Sequence, residues 1–109
     1  MEELTLAQLC AEVREGEIEW SRHYGLQLFE RDQPSRADIQ FMLCEDDPSI
    51  RERYTQSCLI WGFVEAGRRG HVICTYPPGA KVVTAYWPDT DPDEWENDYR
   101  DAKRERDVH

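Results

Sequence analysis

Positive charge is scarce in this chain, and long apolar runs are absent. Thirteen lysines and arginines stand against 23 aspartates and glutamates in 109 residues, a formal net charge of −10. Nucleic-acid binders usually carry a basic footprint, and so acidic a chain repels phosphate at long range. No stretch approaches the ~18 consecutive apolar residues of a membrane span, and no charged-then-apolar leader opens the sequence. A soluble, cytoplasmic protein without a membrane partner is the expectation. Cysteine is limited to Cys10, Cys44, Cys58 and Cys74, with no CxxC pair and no histidine at zinc spacing. Reduced, mostly buried thiols are therefore expected rather than a metal site or a disulfide, and no cofactor is implied.

What is present suffices for one small core. Hydrophobic residues make up 39% of the chain, with four tryptophans, five tyrosines and three phenylalanines. A single α+β domain over residues 1–104 is expected, with a charged, frayed tail over 105–109. Thr5 followed by Gln8 fits a capping box, and Leu6, Leu9, Cys10 and Val13 keep helical spacing up to a stop at Gly16. A second helix starting near Ser21 would carry Tyr24, Leu28 and Phe29 inward. Ser35 and Asp38 form a further capping box, and Ile39, Met42 and Leu43 give a third helix its apolar stripe. Asp46, Asp47 and Pro48 end it.

The period changes at Ile50. "SIRERY", "SCLIWGFVE", "GHVICTY" and "KVVTAYWP" are short runs rich in β-branched and aromatic residues, separated by turn residues. Asp91 as N-cap and Pro92 at the first helical position then open a closing helix through Trp95 and Tyr99. Six carboxylates and no lysine or arginine lie between Asp89 and Asp98. Those carboxylates form either a solvated helix face or a docking surface for a basic partner. The predicted architecture is N-terminal helices packed on one face of a four-stranded antiparallel meander, with a C-terminal helix.

Turn lengths set the predicted faces. A loop of Pro77, Pro78, Gly79 and Ala80 puts His71 opposite Tyr86 and Ile73 opposite Thr84. A two-residue turn at Gly67 and Arg68 puts Val64 opposite His71. A third turn at Thr55 and Gln56 puts Arg53 opposite Cys58 and Arg51 opposite Ile60. Alternation then yields one apolar face of Leu59, Trp61, Phe63, Val72, Cys74, Val83, Ala85 and Trp87. The other face gathers Arg51, Arg53, Cys58, Ile60, Gly62, His71, Ile73, Thr75, Thr84 and Tyr86. On these registers Cys58 and Cys74 point to opposite faces and remain unbonded. The mixed face is either an ordinary polar sheet surface or a site.

The segment "EWSRHYGLQLFERDQPSRADIQFMLCEDDPSIRERY", followed by "CLIWGFVEAGRRGHVICTYPPGAKVVTAYWPD" and a later Trp, resembles the DUF4258 family. The matching positions are His23, Arg31, Asp38, Ile39, Tyr54, Gly62, His71, Val72, Thr84, Tyr86, Pro88, Asp89 and Trp95, within Ile18 to Tyr99. Tyr24 departs from the pattern, where the family has a small residue. The family is in turn similar to the RelE-like toxins of toxin–antitoxin pairs. That likeness implies helices on one side of an antiparallel sheet and RNA cleavage on the other.

Metal-independent RNA cleavage needs a base for the ribose 2′-hydroxyl, an acid for the leaving oxygen, and cations on the phosphate. His71 and Tyr86, with His23 on a nearby helix, are the candidate acid–base groups. Arg31, Arg51 and Arg53 are the candidate phosphate binders, with Thr84 beside them in the substrate-binding set. A different class of function fits the acidity better: a non-catalytic module on the same fold that binds a basic protein. RNA and a basic protein are thus the two expected partners, separated by whether His71 and Tyr86 are accessible.

Overall fold

The computed structural model describes residues 2–30 and 32–90. Helix α1 (Glu2–Arg14) leads into a two-residue strand β1 (Glu19–Trp20). Helices α2 (Arg22–Glu30) and α3 (Arg36–Cys44) follow. Four strands come next: β2 (Ser49–Arg53), β3 (Ser57–Phe63), β4 (Arg69–Thr75) and β5 (Lys81–Tyr86), closed by a 3-10 turn over Pro88–Thr90. The class is α+β. The closing helix expected from Asp91, its acidic face and the tail lie outside the described residues, as does Arg31. No helix of the described residues is long and apolar enough to cross a membrane.

Local signals account for most helix ends. Helix α1 begins at Glu2, three residues before the expected Thr5 cap, because Leu4, Leu6 and Ala7 are good helix formers with no breaker among them. Gly16 stops it at φ 72°, a conformation that is cheap only for glycine. Ser21 caps α2 by accepting the Tyr24 amide, and its own hydroxyl donates to the Val83 carbonyl. At α3 both halves of the Ser35–Asp38 capping box are made, at 3.0 and 3.1 Å.

The sheet has five strands in the order β1-β5-β4-β3-β2. Strands β2 to β5 form an antiparallel meander, but β1 adds in parallel to β5, pairing Glu19 with Lys81 and Trp20 with Val82. The expected four-stranded antiparallel sheet is thus a five-stranded mixed one. A two-residue strand has no periodicity to read, and β1 is specified by the β5 edge beside it.

Registers decide which side chains meet the helices. The β4–β5 hairpin has the expected pairs, His71 with Tyr86 and Ile73 with Thr84, before a bulge shifts Val82 opposite Cys74. Strands β2 and β3 pair Arg53 with Cys58 as expected, but a bulge after Ile50 takes Arg51 out of line with Ile60. The β3–β4 hairpin departs furthest. Its turn is Glu65, Ala66 and Gly67, closed by Val64 N–H to the Arg68 carbonyl at 3.0 Å, with Gly67 at φ 85°. The three-residue turn pairs Trp61 with His71, Ile60 with Val72 and Cys58 with Cys74. Relative to the expected turn, the change in register exchanges every β3 side chain between faces.

The helix-covered face is therefore Cys58, Ile60, Val72, Cys74, Val82, Ala85 and Trp87, packed with Leu9, Val13, Tyr24, Ile39, Met42 and Leu43. Of the residues expected beneath the helices, Val72, Cys74, Ala85 and Trp87 are there. Trp61 and Phe63 belong to the opposite face, and Val83 is only partly buried at the bulge. Gly62 and Gly70 form a direct cross-strand pair that admits Met42 of α3, whose Sδ lies 2.9 Å from where a Gly70 Cβ would stand. In α2 only Tyr24 turns inward. Leu28 is 39% exposed and Phe29 is 91% exposed, against expectation. The α2 apolar residues outnumber what one short helix can bury against the β5 edge.

Candidate functional site

The β3–β4–β5 strands bring an arginine–aromatic layer together on the face away from the helices. His71 and Tyr86 pack edge-on with ring centroids 5.4 Å apart, as the hairpin register requires. The Arg69 guanidinium lies 4.5 Å from the Trp61 ring centre and 4.1 Å from that of Phe63. Arg51 reaches the same Trp61 ring at 5.8 Å, carried there by the β2 bulge. A guanidinium over an indole or phenyl face is held by the ring quadrupole, each contact being worth about 0.5–2 kcal/mol depending on desolvation.

This layer is closed at its centre, while Tyr86 and Phe63 keep partial exposure and Arg51 is exposed at its rim. His71 has no solvent exposure, Arg69 retains 5% and Trp61 8%. Leu59, expected beneath the helices, is on this face and equally buried. The sheet is thus packed on both faces around its centre, and the polar groups of β4 are interior.

Thr84 pairs with Ile73 and so shares this face, its hydroxyl donating to Gln27 Oε1 of α2 at 3.0 Å. The remaining predicted site residues scatter. Arg53 pairs with Cys58 and so belongs to the helix-covered side, with its guanidinium 5.8 Å from the Tyr76 ring. His23 is exposed near the start of α2. The structure unites His71, Tyr86, Thr84 and Arg51 on one face and leaves Arg53 and His23 elsewhere.

Two arginines that sequence reasoning placed in or beside a turn prove central. Arg69 opens β4 and fills the Trp61–Phe63 gap. Arg68 donates to Asp89 through Nε at 3.0 Å and Nη2 at 2.8 Å, and through Nη1 to Asp32 at 3.1 Å, while covering the Trp87 ring at 4.2 Å. Hydrogen bonding to Asp89, more than any other influence, holds the Arg68 guanidinium above its ordinary pKa. The "RRG" triplet was the available signal, readable once the turn is placed before it. Elsewhere, burial pushes the Tyr24 hydroxyl up to about 12, with Arg36 opposing and Asp38 reinforcing. It donates to the Pro34 carbonyl at 2.8 Å.

Among the described residues no group of three or more His, Cys, Asp or Glu side chains converges to hold a metal ion. An imidazole–phenol pair with cations nearby has the composition of an acid–base site, with the imidazole enclosed.

Neither the curated proteins nor the solved structures include a match to this chain. A family model does match, over residues 20–87, from β1 to the end of β5. That span lies within the segment on which the resemblance rests and leaves out Pro88, Asp89 and Trp95. It covers well over half of the chain, which therefore belongs to the DUF4258 family, a domain of unknown function.

Proposed function

We propose that this chain is a non-catalytic protein-binding module, of the helix-on-sheet type shared with RelE-like toxins, that binds a basic, amphipathic partner segment. The observation that carries the reading is the complete burial of His71. A general base must come within about 3 Å of the proton it takes, directly or through one water. His71 meets Tyr86 and the interior, and the arginine nearest it on β4 stacks between Trp61 and Phe63. Endoribonuclease activity through His71 would require the centre of that layer to open.

The exterior suits a protein partner better than RNA. Leu26 at 52% and Phe29 at 91% exposure give α2 large apolar side chains turned to solvent. Such side chains anchor protein interfaces. The net charge of −10 selects for positive charge in whatever meets them and speeds its approach.

The test is binding of a basic amphipathic helical peptide, followed by fluorescence anisotropy at low and high salt. Binding that weakens with salt and falls about tenfold in Phe29→Asp is the expected result, a loss typical of removing one aromatic anchor. Equal binding by Phe29→Asp, or no binding at low salt, counts against the reading.

A further inference from the structure

The four cysteines divide into two pairs of opposite character. Cys58 and Cys74 are direct cross-strand partners on β3 and β4, both fully buried and neither in a disulfide. Burial, with Cys58 alongside, pushes the Cys74 thiol far above its ordinary range, so it stays protonated and inert. Their sulfurs are unbonded as expected, although they share one face rather than lying on opposite ones. Cys10 and Cys44, expected to be reduced, instead form a disulfide joining α1 to α3 across 34 residues, with Cα atoms 5.1 Å apart. Both are only partly buried, and both line an open cleft of about 410 Å³ with Leu6, Leu43, Asp47 and Pro48.

We propose that Cys10–Cys44 is a reversible dithiol–disulfide site, a latch between α1 and α3 that a dithiol reductant opens through this cleft. Access and dispensability carry the inference. A reductant's thiolate must reach one sulfur in line with the other, and the cleft gives it entry. The core does not depend on the bond. Leu9 and Val13 anchor α1 by burial, and the Glu12 carboxylate accepts the Ala80 amide at 2.8 Å. The exposed Arg14–Glu45 pair at 3.1 Å also joins α1 to the end of α3, a tie of little strength in water. Reduction therefore loosens the cleft-facing side of α1 and leaves the sheet intact.

The chemistry is a two-electron exchange. A thiolate of the reductant attacks one of the two sulfurs, the Cys10–Cys44 bond breaks, and a mixed disulfide forms. The released sulfur leaves as a thiolate and takes up a proton. The reductant's second thiol then displaces the remaining cysteine, which also ends as a thiol, and the reductant departs as its own disulfide.

Thiol counting on the full folded chain tests the site. An aromatic disulfide reagent should find no reactive thiol in the air-oxidised protein, two after dithiothreitol treatment and removal, and four once denaturant is added. A thioredoxin-class dithiol protein should give the same two without denaturant. Amide hydrogen exchange across α1 should rise about tenfold or more on reduction while β3 and β4 stay protected. Cys10→Ser and Cys44→Ser, made separately so that one unfolded variant does not decide the matter, should each exchange as the reduced protein does. Two reactive thiols already present after mild oxidation would overturn the site. Reduction only in denaturant, or α1 exchange unchanged by reduction, would overturn the latch.

Discussion

Tyr24 shows how one side chain links the helices to the sheet. It is fully buried, stacks 5.2 Å from Trp20, and donates its hydroxyl to the Pro34 carbonyl. Tyr24→Phe should destabilise the fold by about 1 kcal/mol in urea unfolding at neutral pH, the usual worth of one buried hydrogen bond. The alkaline limb should change as well. The folded chain keeps the Tyr24 proton up to about 12, whereas the unfolded chain releases it near 10. Tyr24 thus contributes fully below pH 10, and its contribution falls as pH rises through 10 to 12. Unfolding midpoints at pH 8 and 11 should converge more in Tyr24→Phe than in the parent. Arg68 belongs to the same scale. Arg68→Lys keeps the charge but loses the forked contact with Asp89 and the flat contact with Trp87. Because the pair is about one-third exposed, the expected loss is below about 1 kcal/mol.

At the scale of elements, α3 sits on the sheet where two glycines leave room for Met42. A Gly70→Val change puts branched carbon where Met42 Sδ and Pro34 Cγ already stand. It should cost ~1–3 kcal/mol or more through overpacking, read as a lower urea midpoint. Gly70→Ala should cost less, because the Met42 side chain can shift. The Ser35–Asp38 capping box was legible in the sequence because capping is local: two side chains three residues apart meet the helix's own amides. The β4–β5 pairing was legible up to the bulge for a similar reason, since its loop is marked by its own Pro77, Pro78 and Gly79. The β3–β4 pairing was not. "EAGRRG" offers turns of two or three residues, and the choice rests on Arg69 filling the space between Trp61 and Phe63, a contact between strands. Two bulges and the two-residue β1 are likewise set by neighbouring strands rather than by their own residues. The candidate site shows both outcomes. His71 and Tyr86 were paired correctly from the loop, while the burial of His71 depends on the packing of the whole face and could not be read from alternation.

For the molecule as a whole, the account turns on the interior position of His71 within an acidic chain. A sealed imidazole and a net charge of −10 oppose RNA chemistry, whereas exposed Leu26 and Phe29 on α2 invite a protein. The most direct measurement is incubation of the purified chain with RNA and with ribosomes at low salt, beside His71→Ala. Because binding to phosphate is strongest at low salt, these conditions give RNA its best chance. The expected result is no cleavage above background by either protein and no retention of RNA. Cleavage by the parent chain that disappears in a folded His71→Ala would contradict the account and make the His71–Tyr86 pair a catalytic one.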